Sequence, residues 1–174
     1  MNRLVLILAS LSAALAIAHS VGCVSPRDSA REAMLSLPWQ QFDQTKGSGW
    51  RIYLARKDHH TAALLIDEYL KRHDELTLRQ RVLCHFHAGM EYVFDGNIPA
   101  ALPHLDQAIV PSGITAHSPD WNDMVTAAKA FLTGDRAALI AAKARVDALP
   151  VGAAEWPNYP TDLLNNFGKP YGSW

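Results

Sequence analysis

From about residue 50 onward the chain alternates amphipathic stretches with short breaks, and its apolar positions recur at helical spacing. In "HHTAALLIDEYLKRHDEL", Ala62, Leu65, Ile66 and Tyr69 fall at 0, +3, +4 and +7, one apolar face of a helix. "TLRQRVLCHFHAGMEYVFDGN" predicts the next helix, ended by Gly96 and Asn97. "IPAALPHLDQAIV" predicts its partner, with Pro99 in the first turn, where a missing N–H costs nothing, and Pro103 four residues further in. "PSGITAHSP" reads as a loop. "DWNDMVTAAKAFLTGD" and "RAALIAAKARVDALP" predict a further pair, broken at Gly134-Asp135 and stopped by Pro150. Upstream, "GWRIYLARKD" is a short element set before the Ala62 helix, and "TKGSG" at 45–49 is a loop. Arg27 to Leu37 carries Ala30, Met34 and Leu37 on one side until Pro38 interrupts it. No stretch shows the period-2 alternation and turn chemistry of paired strands, so the expected fold class is all-α.

Within this pattern one stretch is more specific. His85-x2-Ala88-Gly89-x2-Tyr92, followed by Ala101-x3-Leu105 and Ala108, resembles the tetratricopeptide repeat family over residues 82–115. The resemblance has a physical content. Gly89 and Ala101 are small where two helices of one hairpin approach closely. Tyr92 and Leu105 are bulky and fill the wedge between neighbours, and Gly96 lets the chain reverse. His85 stands where a Trp is usual, Ala88 where a Leu is usual, and Pro111 arrives early for the terminal Pro. Trp50, Tyr53, Asp58, Ala62, Ile66 and Tyr69 echo the unit 39 residues upstream, and Ala127, Gly134-Asp135 and Val146 echo it 38 residues downstream. The resemblance implies a short α-solenoid of about three antiparallel helical hairpins over 41–150, because each hairpin buries its apolar face only against its neighbours.

By that resemblance, the first helix of each pair lines a concave groove. Leu83, Phe86, Met90, Val93 and Phe94 of the middle unit face it. So do Trp121, Met124, Ala128, Phe131 and Leu132 of the third, with Gln44, Arg51 and Leu54 from the first. So apolar a face has two readings. Either it holds an apolar ligand or a partner's amphipathic helix, or the protein fills it with its own C-terminal segment. Residues 151–174 are rich in aromatics (Trp156, Tyr159, Phe167, Tyr171 and Trp174). The helix "TDLLNNF", capped at Thr161 or Asp162, would dock Leu163, Leu164 and Phe167.

Charge narrows the partners. Sixteen Lys and Arg against 17 Asp and Glu give a net charge of −1, and 49% of the residues are apolar. A nucleic-acid binder needs a basic surplus, so nucleic acid is excluded as a partner. No polybasic run is present to hold the chain on an anionic membrane.

The N-terminus adds an address. "MNRLVLILASLSAALAIAHSVGC" has one early charge, Arg3, an uncharged run from Leu4 to Ala18, and small residues after it, the form of a secretory signal over 1–22. The run is short for a membrane span, which needs about 20 apolar residues. Ala18-His19-Ser20 offers one cleavage site, before Val21. Ser20-Val21-Gly22-Cys23 offers another, and it resembles the lipobox of bacterial lipoproteins, with Ser20 where Leu is usual. There Cys23 would carry lipid, residues 23–40 would form a tether, and Val24 would direct the protein to the outer membrane. Cys84, the other cysteine, is then a lone apolar thiol. Without lipidation, a Cys23–Cys84 disulfide becomes an alternative in an oxidising compartment.

Candidate chemistry is thin. Of eight His, His85 and His87 lie about 200° apart around one helix and cannot share a metal. His87 and Glu91 share a face, but two ligands do not make a site. His59 and His60 begin a helix, where solvation is expected, and His73, His104 and His117 have no ligand-spaced partner. No catalytic or metal signature appears, so the reading is a non-enzyme without cofactor or metal. The expected function is a cell-envelope protein-interaction module, membrane-bound through a lipid anchor only. The alternatives are a periplasmic immunity or inhibitor protein for one cognate toxin or enzyme, and an unidentified enzyme or metal protein.

Overall fold

The computed structural model describes residues 26–115 and 117–174; the signal, the lipobox and Cys23 lie outside the described residues. Every regular element among those residues is helical. The helices are α1 (Pro26–Leu35), α2 (His59–Arg72), α3 (Leu78–Phe94), α4 (Ile98–Gln107), α5 (Trp121–Thr133), α6 (Arg136–Asp147) and α7 (Tyr159–Asn165). Between α1 and α2 the chain makes a π-turn over Gln40–Gln44 and two 3-10 turns, Gly49–Ile52 and Leu54–Arg56.

Local chemistry sets most boundaries. Thr77 and Gln80 form a reciprocal capping box at the start of α3. The side chains of Asp58, Asn97 and Asp135 accept from the backbone N–H three residues on, opening α2, α4 and α6. Gly134 ends α5 in the left-handed conformation.

The element read as "GWRIYLARKD" is not a full helix but the two 3-10 turns. The reason is packing. At Gly49 a Cβ would stand 2.1 Å from the Phe42 carbonyl oxygen, so the chain folds tightly back on the π-turn. Lys57, left-handed at φ 54, then stops the second turn. α7 also starts two residues earlier than Thr161, with Pro160 in its first turn.

The helices pack in sequence neighbours: α2 with α3, α3 with α4, and α5 with α6. At the α3–α4 contact a Cβ on Gly89 would lie 3.0 Å from Leu105 Cδ2 and 3.4 Å from the Ala101 carbonyl oxygen. Gly89, Ala101 and Leu105 are therefore at the close approach that their sizes imply, and Ala101, Leu105 and Ala108 are fully buried. Tyr92 is buried too, against Ala63, Val93 and Ala101, while Gly96 turns the chain at φ 79. The N-terminal core gathers Leu35, Phe42, Trp50, Leu65, Ile66 and Tyr69, with the Phe42 and Tyr69 rings stacked at 3.7 Å. Arg31–Glu68 and Arg72–Glu32 ion pairs lace α1 to α2.

The C-terminal segment packs onto the third pair, α7 contacting both α5 and α6. Leu163 is buried at its centre, with Leu164 and Phe167 beside it.

Candidate functional site

The groove residues named from sequence divide into two halves. Val93, Phe94, Phe131 and Leu132 line one half, and its opposite wall is the protein's own Pro170 and Tyr171. Tyr171 sets its ring edge-on against both Phe94 and Phe131, and Trp174 leans on Phe131 at 5.4 Å. Tyr159 and Tyr171 join through their hydroxyls at 2.8 Å. Gly172 passes so close to Phe94 that a Cβ would sit 3.1 Å from its ring. The tail covers this half in part: Phe131 is buried, while Phe94 stays 47% exposed.

In the other half Leu83 and Phe86 stay partly exposed, while Trp121 and Met124 are buried. Leu83 and Phe86 of α3 and Trp121 and Met124 of α5 wall a cavity of about 290 Å³, with Gln44 and Arg51 at one side and Glu155 and Trp156 at another. Met90 and Ala128 are buried behind it, and Leu54 lines an adjoining hollow that shares Gln44 and Arg51. Trp121 is held by its indole N–H, which donates to the Ala108 carbonyl at 2.8 Å, and by His117 stacked on it at 4.0 Å. Phe86 meets it edge-on at 5.2 Å.

Two carboxylates, Asp43 and Asp120, are fully buried beside this cavity. Burying a charge is costly unless hydrogen bonds compensate it. Asp43 takes the Trp50 indole N–H at 2.9 Å and His87 Nδ1 at 2.8 Å, and also accepts from Gln44. Burial pushes its carboxyl up, but these donors, His87 first, outweigh burial and hold it below the usual carboxylate range. Its carbonyl accepts from Arg51 Nε, while the Arg51 guanidinium lies 4.5 Å over the Trp50 ring. Asp120 stands at the N-cap of α5 yet does not cap it. Its oxygens accept the backbone N–H groups of Glu155 at 3.0 Å and Trp156 at 2.7 Å. Burial raises this carboxyl and the two N–H bonds lower it, with the net below the ordinary value. Groups that line the same cavity are thus bonded by both residues: His87 and Gln44 by the Asp43 carboxylate and Arg51 by its carbonyl, and the Glu155 and Trp156 backbone by Asp120.

The histidines find partners that spacing does not reveal. His87 pairs with Asp43, and Glu91 pairs with His59 at 2.8 Å, so the i, i+4 pair is divided between two other elements. His59 is therefore half-buried rather than solvated. On the far side of α3, His85 Nδ1 and His104 Nδ1 meet at 3.1 Å, His104 Nε2 lies 3.0 Å from Asp67, and the Tyr92 hydroxyl donates to Asp67 at 2.6 Å. Burial, helped by the nearby His104, pushes His85 down to about 4. Among the described residues no three His, Cys, Asp or Glu side chains come together as a metal-ligand set. Cys84 is a free thiol buried in the N-terminal core, and burial raises its pKa. No described helix is long and apolar enough to cross a membrane.

Sequence reasoning placed Arg51, Leu83, Phe86, Trp121 and Met124 around one hollow, but missed Asp43, His87, Asp120 and Glu155. The signals that point to them are weak: an Asp ahead of a Gly-rich turn, and an Asp at a helix start with no capping bond of its own. Comparison with known proteins adds no relative, since no family model, curated protein or solved structure matches the chain.

Proposed function

We propose that this protein is an exported, lipid-anchored interaction module of the cell envelope, built as a short tetratricopeptide-like α-solenoid. Its open half-groove receives a segment of a partner protein. The observation that carries the reading is the divided groove. Leu83 and Phe86 stay partly exposed over the buried Trp121 and Met124 around one cavity, while the chain's own tail packs on the continuation of that surface, over the buried Phe131 and one side of the still exposed Phe94. A tail that packs aromatic side chains along such a surface supports an apolar peptide segment as its occupant. The small-to-bulky contact of Gly89, Ala101 and Leu105 supports the repeat architecture, and the apolar N-terminal run followed by Ser20-Val21-Gly22-Cys23 supports export and lipidation.

The test is photo-crosslinking in cells from a diazirine amino acid placed at Phe86, with Ile140 on α6 as the control position. The expected result is a crosslinked envelope protein from position 86 and none from 140, with mass spectrometry showing acylated Cys23 as the mature N-terminus. Equal or absent crosslinking at the two positions refutes the groove, and an N-terminus at Val21 refutes the anchor.

A further inference from the structure

The open cavity carries more than an apolar wall, and its charges come from both signs. Arg51 and Arg79 line it, and neither forms an ion pair among the described residues, whereas Arg31, Arg72, Lys129, Lys143 and Arg145 do. Arg51 spends Nε on the Asp43 carbonyl and rests its guanidinium on Trp50, which leaves its terminal nitrogens in a fixed fork. Glu155 is the sole carboxylate residue lining the cavity; its backbone is pinned by Asp120 and its side chain has no ion pair among the described residues. Asp43 holds Arg51 through its main-chain carbonyl and Asp120 holds the Glu155 backbone through its carboxylate, so both walls are fixed at buried residues, as a preorganised site requires.

We propose that this cavity binds a small apolar zwitterion of the α-amino acid class, either a free amino acid or a dipeptide. Its carboxylate meets Arg51 and Arg79, its ammonium meets Glu155, and its side chain rests on Phe86 and Trp121. The mixed charge decides the class. A simple anion would be repelled by Glu155 and a simple cation by the two arginines, whereas a zwitterion satisfies both. Size sets the limit, since about 290 Å³ is at the lower edge of ligand pockets. The Trp121 and Phe86 rings, set edge to face, favour a branched or aromatic side chain over a polar one. This site stands on the cavity's own geometry and does not depend on a partner protein docking along the groove.

Isothermal titration of the full chain with L-phenylalanine, L-leucine and the dipeptide Leu-Phe tests it. N-acetyl-L-phenylalanine and L-phenylalaninamide serve as partners that each lack one charge. The expected result is saturable binding of at least one zwitterion, with both capped compounds at least tenfold weaker. Strength in the free amino acids or in the dipeptide tells which of the two is the ligand. Arg79→Gln and Glu155→Gln remove exposed side chains that make no internal hydrogen bond, so they leave the melting temperature unchanged, and each weakens the zwitterion at least fivefold. Glu155→Gln strengthens the weak binding of N-acetyl-L-phenylalanine, because it removes the charge that repels its carboxylate. Absence of binding by all three zwitterions overturns the proposal. So does equal binding of the capped compounds, or affinity that survives both substitutions.

Discussion

Asp43 Oδ1 stands 2.8 Å from Nδ1 of His87, a residue 44 positions further along the chain, and this contact fastens the π-turn to the middle of α3. The same carboxylate holds the Trp50 indole. Asp43→Ala removes the acceptor for both and leaves two buried donors unpaired, a loss expected at about 3 kcal/mol or more in urea unfolding. Trp50 reports the change by a red shift of its fluorescence in the folded protein. A loss below about 1 kcal/mol would mean that the buried acid does not hold this wall.

The second prediction concerns acid. His85 is pushed down to about 4 by burial, so between that value and its ordinary 6.5 the unfolded chain binds the proton that the folded chain refuses. Stability therefore rises with pH across that interval and falls on acidification, by up to about 3 kcal/mol at full effect. Asp43, Asp67 and Asp120 act in the same direction at lower pH, because their carboxyls are held below the ordinary value and the stability they confer is lost as each is protonated. Melting curves from pH 8 to pH 3 should show two successive declines. His85→Gln flattens the first and leaves the second, and a first decline of unchanged size in that variant would assign it to another group.

At the helical hairpin, Gly89 faces Leu105 and the Ala101 carbonyl with no room for a branched side chain. Gly89→Val is expected to destabilise by about 1–3 kcal/mol through overpacking. Gly89→Ala gains roughly 1 kcal/mol of helix propensity against a contact that must yield by tenths of an ångström, so it should lie near neutrality. Equal values for the two variants would show that α3 and α4 are not in tight contact there.

The C-terminal segment should behave as part of the core from α7 onward. Truncation before Val151 strips Leu163 from α5 and α6 and uncovers Phe131. The expected cost is about 3 kcal/mol, with increased binding of an apolar dye, since one fully buried leucine alone is worth about 1.5–3 kcal/mol. An unchanged melting temperature would show that this segment caps nothing.

Cys84 should be inert. Its thiol is fully buried and burial raises its pKa, so a disulfide reagent should label it only at the rate of global unfolding. Fast labelling of the native protein would place Cys84 at a surface.

The parts of this fold that could be read from sequence are those whose cause is local. Ala62, Leu65, Ile66 and Tyr69 share a face because 3.6-residue periodicity puts them there, and all four are buried. Thr77 with Gln80, and Asn97 ahead of Pro99, mark helix starts within four residues of chain. The shape of the short element at 49–56 depends on Gly49 meeting Phe42, a contact that helical spacing does not encode. The site was only half legible for a similar reason. Its apolar wall follows helical periodicity, but its polar parts come from pairings 44 and 35 residues apart, Asp43 with His87 and Asp120 with Glu155. His85 and His104 likewise meet only because Gly89 lets the two helices close.

Residues 168–174 contribute backbone hydrogen bonds only to Asn166 and to one another among the described residues, so side chains alone keep the strap in place. Anything fused after Trp174 would tug directly on the Phe131 and Phe94 contacts. A C-terminal affinity tag or fluorescent fusion is therefore not a silent addition to this protein. It would perturb the ring contacts of Tyr171 with Phe94 and of Trp174 with Phe131, and should lower the melting temperature relative to the untagged chain.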